Sequence, residues 1–326
     1  MSIIRPRRLR AHPLLRDMVA SVQLSPRDFV LPLFVKRGEK LRIPVASMPG
    51  VFQMSPEVAV EELKRLEKLG LGGFILFGVT ESNKKDPLGS YAHDPNNPVC
   101  VTLKLAKDAG VSMLAMTDLC YCEYTDHGHC GPLTPKGVVD NDATIQRLGT
   151  QAVVHARAGA DIVAPSGMMD NAVAAIREAL DADHHQNTAI LSYAVKYASA
   201  FYGPFRDAAD SAPSFGDRKT YQMDFRGDVR SALREAAIDV QQGADMVMVK
   251  PGLAYLDILS AVTKAVNVPT AVYQVSGEYA MIKAAAANGW IDEKAIALET
   301  MTAFKRAGAS FILTYFAPQL AEWLAR

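Results

Sequence analysis

The residues best able to do chemistry lie in residues 118–130, which read Asp118-Leu119-Cys120-Tyr121-Cys122-Glu123-Tyr124-Thr125-Asp126-His127-Gly128-His129-Cys130. Three thiols fall within eleven residues, on a stretch with glycines at Gly128 and Gly131. Zn²⁺ favours thiolates, and three protein ligands leave a fourth position for water or substrate. Cys120, Cys122 and Cys130 therefore read as a catalytic zinc set at the mouth of an active site. A closed structural site would need a fourth ligand, which His127 or His129 could supply. Free cysteines acting as small hydrophobes are the bland alternative, which three thiols on one polar loop fit poorly. Cys100 has no such company and reads as a packing residue.

Two lysines stand where lysines are costly. Lys250 closes the apolar run 245–250 before Pro251-Gly252, and Lys196 lies in the aromatic stretch 192–202, which carries no other charge. Burying an amine incurs a desolvation cost. An ordinary lysine, with a pKa of about 10.4, is neutral in only about one molecule in 2,500 at pH 7. Burial and a second ammonium nearby both lower that pKa and yield a nucleophile for a ketone. A lysine snorkelling to the rim is the alternative for either one alone. As a pair at neighbouring strand ends they point to Schiff-base chemistry. A third feature is the long connection around 201–224, with Arg206 and Arg218 near its ends and Gly203, Pro204, Pro213 and Gly216 within it. Connections of that length are usually functional or disordered. This one reads as a lid whose arginines hold a carboxylate, with solvated arginines as the alternative.

These groups need a scaffold, and the chain carries a repeating one. Apolar or β-branched runs occur at 29–35, 73–78, 112–117, 161–165, 189–193, 245–250, 270–275 and 310–316. Amphipathic stretches such as 56–69, 142–158, 171–180, 229–242, 255–266 and 278–287 lie between them. Gly159, Gly243 and Gly308 each sit where a helix would end and the next strand begin. Eight such units predict an α/β fold, a single (β/α)8 TIM barrel, with catalytic residues at the C-terminal strand ends. An open sheet is the runner-up, but no glycine-rich dinucleotide turn follows the first strand. The expected strand ends present Asp118, Ser166, Tyr193 with Lys196, Lys250, Ser276 and Tyr315.

Composition bounds the rest. The 326 residues are 49% hydrophobic, enough for one large core, and 35 Lys plus Arg balance 35 Asp plus Glu. That balance gives no general attraction to nucleic acid or an anionic membrane. No apolar run reaches the roughly 18 residues of a membrane span. Four cysteines in so long a chain do not make a disulfide framework, and a cytoplasmic location is the default. Residues 1–25 read as an arm that packs on a neighbouring subunit, since Ile3–Met18 within them is rich in arginine and lacks the serine content of a transit peptide. Residues 26–326 form the barrel.

Several phrases are long enough to be specific. They are Thr117-Asp118-Leu119-Cys120-Tyr121-Cys122, His127-Gly128-His129-Cys130-Gly131, Phe201-Tyr202-Gly203-Pro204-Phe205-Arg206, Val249-Lys250-Pro251 and Tyr273-Gln274-Val275-Ser276-Gly277-Glu278-Tyr279. With Arg5-Pro6-Arg7-Arg8-Leu9-Arg10 and Met48-Pro49-Gly50-Val51, they resemble the porphobilinogen synthase, or 5-aminolevulinate dehydratase, family from Arg5 to the C-terminus.

The resemblance implies condensation of two 5-aminolevulinate molecules to porphobilinogen with loss of two waters, in haem and other tetrapyrrole synthesis. It implies Schiff bases on Lys250, for the propionate side, and on Lys196, for the acetate side. Ser276 and Tyr315 would bind the first carboxylate, and Arg206, Arg218 and Gln222 the second. Asp118 and Ser166 would orient substrate and relay protons beside the zinc on Cys120, Cys122 and Cys130. It further implies a homo-octamer and a separate allosteric Mg²⁺ site, whose ligand position Glu235 matches. Two departures stand out. Asp210 replaces the lid cysteine that serves a second zinc site in certain members, and Asp224-Phe225-Arg226-Gly227 lacks the usual proline after the lid. A class I aldolase would need one lysine and no cysteine loop, and a non-enzymatic zinc scaffold would leave both lysines incidental.

Overall fold

A computed structural model describes residues 3–325. Its strands are β1 (Phe29–Lys36), β2 (Arg42–Pro44), β3 (Phe52–Met54), β4 (Gly73–Val79), β5 (Leu114–Leu119), β6 (Ile162–Pro165), β7 (Ala189–Lys196), β8 (Met246–Lys250), β9 (Thr270–Gln274) and β10 (Phe311–Thr314). The helices are α1 (Pro13–Met18), α2 (Pro56–Glu67), α3 (Pro98–Asp108), α4 (Asn141–Ala158), α5 (Ala172–Ala182), α6 (Gly203–Ala209), α7 (Val229–Gln241), α8 (Leu256–Ala265), α9 (Ser276–Ala287), α10 (Glu293–Arg306) and α11 (Ala317–Leu324).

Eight parallel strands run β1-β4-β5-β6-β7-β8-β9-β10, and β10 pairs back onto β1, so the sheet closes into the expected (β/α)8 barrel. The first seven residues of β1 and all of β4 are buried, because a parallel strand under helices has no face for water. Helix packing follows the same logic. Helix α2 buries Ala59, Val60, Leu63 and Leu66 at helical spacing, and Pro56 occupies its first turn, where the missing N–H costs nothing. Helix α4 starts on the Asp140 side chain, which accepts from the Ala143 amide, and ends at Gly159 with φ 112°. Gly243 and Gly308 take the same left-handed turn at φ 104° and 109°.

The structure adds detail to the expected elements. The antiparallel pair β2–β3 lengthens the sheet beyond β1, and α6 folds inside the long segment after β7. The third barrel strand begins at Leu114 rather than 112, because the Glu67 carboxylate accepts the Ser112 amide at 2.6 Å and takes it out of the ladder. The N-terminal residues Ile3, Ile4, Leu9, Leu14, Met18 and Val19 are exposed and find no core in their own chain.

Candidate active site

Lys196 and Lys250 are Cα partners at the ends of β7 and β8. A register irregularity in β7 makes this so. Ser192 pairs with Val247, yet Val195 pairs with Val249, so β7 spends one more residue than β8 over this interval. Ser192 faces outward, its hydroxyl donating to Asp239 on α7 at 2.5 Å. Strict alternation would turn Lys196 outward as well. The bulge reverses the parity and sends Lys196 into the barrel mouth.

Both lysines are buried, each 6% exposed. The Lys250 Nζ lies 4.2 Å from the Tyr273 ring centre, 4.9 Å from Tyr193, and 5.4 Å from both Tyr202 and Phe205. Burial in this aromatic box, reinforced by the charge of Lys196, lowers the Lys250 pKa to about 7. Lys196 donates to the Ser166 carbonyl at 2.5 Å, and the Ser166 hydroxyl donates to Asp118 at 3.1 Å. Burial raises Asp118 to about 6 despite the two lysines, so desolvation outweighs attraction for the acid and for Lys250 alike.

The loop after β5 brings the three cysteines together. Their sulfurs lie within 4.8 Å of one another, all buried, and none forms a disulfide. This donor set suits a thiophilic divalent cation. Hydrogen bonds from Cys120 and Cys122 hold the Cys130 thiol well below its ordinary pKa, so the cluster already favours a thiolate there. The closing histidine is not found. His127 contacts the Pro87 carbonyl, and His129 bridges the Tyr221 hydroxyl and the Phe215 carbonyl. Instead Asp118 and Glu123 approach the sulfurs, forming with Cys120 a second cluster of candidate ligands. Glu123 was not anticipated, although a carboxylate beside Cys122 on a buried loop was a readable signal. Burial and the charge of Asp118 raise it to about 8.

These groups share one cavity. Its wall includes Phe77, Asp118, Cys122, Glu123, Ser166, Lys196, Tyr202, Phe205, Arg206, Arg218, Lys250, Tyr273, Ser276 and Tyr315. Of the aromatic lining, Tyr315 and the stretch around Tyr202 are legible in the sequence, whereas Phe77, Phe205 and Tyr273 are not. Gln222 is buried but lines a neighbouring hollow with Tyr221, Met223 and Glu235, so it is not on the main wall. Arg218 donates to the Gly128 and Ser211 carbonyls at 2.9 and 2.6 Å and ties the segment after β7 to the cysteine loop. Ser214 adds a bond to the His127 carbonyl at 3.0 Å. Asp210 pairs with Lys85 at 3.0 Å. The Ser276 hydroxyl accepts from the Phe205 amide at 3.0 Å and donates to the Phe201 carbonyl, and the Tyr315 and Tyr273 hydroxyls lie 3.1 Å apart. Asp118 Oδ1, Arg206 Nε and Arg218 Nε are buried without a partner among the described residues. Buried polar atoms are costly when unpaired, so these three are free to meet a bound molecule.

Glu278 organises the opposite wall. Its carboxylate accepts the Val275 amide at 2.7 Å and the Leu253 amide at 2.5 Å, joining the turn after Lys250 to the start of α9 that carries Ser276. Glu235 lies elsewhere, on α7 beside Asp170 and Asp239, outside the barrel mouth. Cys100 is buried in α3 as a packing residue.

The family model for delta-aminolevulinic acid dehydratase matches residues 3–323. The chain belongs to that family. A delta-aminolevulinic acid dehydratase of Synechocystis sp. is 53% identical over 324 residues, covering 98% of both chains. The Bacillus subtilis dehydratase is 50% identical over 324 residues, 99% of each chain. Among solved structures, Toxoplasma gondii delta-aminolevulinic acid dehydratase in complex with porphobilinogen superposes with a TM-score of 0.96 at 42% identity. The match covers 99% of this chain and 92% of that one. The dehydratase fold, enzyme class and closed barrel thus agree with the site.

Proposed function

We propose that this dehydratase condenses two molecules of 5-aminolevulinate into porphobilinogen with loss of two waters, within tetrapyrrole (haem) biosynthesis. The observation that carries the reading is the pair of buried amines, Lys196 and Lys250, in register at one cavity that the three-sulfur cluster borders through Cys122. Each substrate is a 4-oxo acid. A neutral lysine attacks its C4 carbonyl and expels one water, so two lysines account for two waters. One carbon–carbon and one carbon–nitrogen bond then close the ring, and loss of protons makes it aromatic. Both lysines return as free amines.

Lys250, with its lowered pKa, takes the substrate that becomes the propionate side, and Lys196 takes the acetate side. Ser276 and Tyr315 bind the first carboxylate. Arg206 and Arg218 bind the second with their unpaired Nε groups, and Gln222 joins them only if the segment around 201–224 closes as a lid. Asp118 and Ser166, hydrogen-bonded beside Lys196, hold and pass protons. Cys120, Cys122 and Cys130 would hold Zn²⁺, which supplies Lewis-acid polarisation of the second substrate when bound. Glu235, with Asp170 and Asp239 nearby, would hold the separate Mg²⁺. Residues 1–25 form the arm that joins subunits, with a homo-octamer in the cytoplasm as the working form. The exposed apolar residues from Ile3 to Val19 support that arm.

Purified protein incubated with 5-aminolevulinate is expected to accumulate a pyrrole detectable by colour reaction. A chelator abolishes this, and zinc restores it better than magnesium. Absence of a pyrrole from metal-replete protein would overturn the reading.

A further inference from the structure

Cys120, Tyr121 and Cys122 are consecutive, yet the two sulfurs come to 3.4 Å of each other. The residue between them must therefore be driven the other way. Tyr121 is fully buried behind the loop, and its hydroxyl meets the His93 Nε2 at 2.7 Å. The two rings stand edge to face at 5.9 Å, and the Arg147 guanidinium covers the tyrosine at 5.6 Å. The Tyr121 carbonyl accepts the Tyr124 and Thr125 amides at 2.9 and 2.8 Å, which shapes the turn that follows.

The supports come from two places. Helix α4 offers Arg147 and Gln151 one turn apart on the same face. Gln151 is completely buried and its amide is directed at the Cys120 carbonyl at 3.4 Å. The segment bearing His93 is fixed by Asp86, whose carboxylate accepts the Leu88 and Ser90 amides at 2.8 and 3.1 Å. Within it Gly89, at φ 62°, leaves room for the ring, since a Cβ there would stand 2.7 Å from Tyr121 Cδ1. None of these groups lines the substrate cavity.

We infer that Tyr121 and His93, backed by Gln151, are positioning residues that hold Cys120 and Cys122 on one side of their loop for a thiophilic cation. Each acts on the ligands through the backbone. The hydroxyl-to-ring bond fixes where the tyrosine sits, and the tyrosine fixes the two peptides carrying the sulfurs. Outer partners of this kind typically change metal affinity about 10- to 100-fold when removed. The inference rests on the three cysteines binding the metal, as proposed above.

The test is metal binding on the full-length protein. Zinc affinity is measured by competition with a chromophoric chelator, and Co²⁺ loading is read from the thiolate-to-metal absorption band. Thermal melts of the metal-free proteins run alongside. Tyr121→Phe keeps the ring but not the hydroxyl, and is expected to weaken zinc about 10-fold or more and to alter the cobalt band. His93→Leu should do the same, while His93→Gln, which can still hydrogen-bond the phenol, recovers most of the affinity. A merely structural role would lower the melting temperature and leave affinity and band unchanged. Unchanged binding in Tyr121→Phe and His93→Leu, with the parent band intact, overturns the inference alone. A parent that shows no thiolate band overturns the cysteine-metal reading as well.

Discussion

Replacing Lys196 with Met should raise the pKa of Lys250, and the size of the effect follows from the geometry. With its pKa lowered to about 7, Lys250 is half neutral at pH 7. An ordinary lysine there is neutral in about one molecule in 2,500, so the site enriches the nucleophile about 1,000-fold. Burial is the larger cause and survives the substitution, while repulsion from Lys196 does not. The two Nζ atoms lie 5.5 and 4.9 Å from the Tyr193 ring centre, so they are separated by no more than about 10 Å. Two like charges at about 10 Å in an effective dielectric of about 20 repel by about 1.7 kcal/mol, or about 1.2 pKa units. Lys196→Met therefore moves Lys250 to about 8 or above, and its neutral fraction at pH 7 falls about eightfold. The amine attacks only when neutral, so imine formation rises with pH through the pKa, and a lowered pKa extends it toward acid. The assay is the rate at which cyanoborohydride traps 4-oxopentanoate on Lys250, followed by mass against pH in the zinc-loaded protein. The parent midpoint should lie near 7 and the variant midpoint about one unit higher. Coincident midpoints would refute the coupling, and a parent midpoint near 10 would refute the lowered pKa altogether.

The double substitution Cys122→Ala, Cys130→Ala should abolish zinc retention in metal analysis and remove pyrrole formation; full activity would rule out a catalytic role for the loop. Glu278→Ala strips an acceptor from the Val275 and Leu253 amides, at about 1–3 kcal/mol for each buried amide left unpaired. Urea unfolding should show a loss of about 2–5 kcal/mol, with Glu278→Gln milder because it keeps one acceptor oxygen. Deleting residues 1–18 exposes no core of the barrel, since none of the described residues in that stretch is buried, but light scattering should show a smaller assembly. An unchanged assembly would refute the arm.

The barrel was legible because parallel strands under helices must be apolar along their length, and the runs at 29–35 and 73–78 announce themselves. Lys250 was legible for the same reason, as a charge at the end of such a run. That Lys196 faces it was only half legible. Alternation from Ser192 places it outside, and the bulge that reverses this has no mark in the residue types. The pattern starts the third strand two residues early, because Ser112 looks like strand but gives its amide to Glu67, a partner distant in sequence. The cysteine spacing points to a candidate metal set, yet it offers His127 or His129 as the fourth group and misses Glu123. That choice depends on which way the loop turns, and the bonds from His129 to the segment after β7 turn it away. Arg206 and Arg218 reach the cavity, while Gln222, in the turn where its amide donates to the Arg218 carbonyl at 2.9 Å, lines the neighbouring hollow.

Covalent capture by both lysines is the centre of the account, and borohydride reduction in the presence of 5-aminolevulinate tests it most directly. Peptide mass mapping should find substrate-derived mass on Lys250 first and on Lys196 at higher substrate concentration. Peptides in which neither lysine gains mass, from protein that still makes pyrrole, would contradict it.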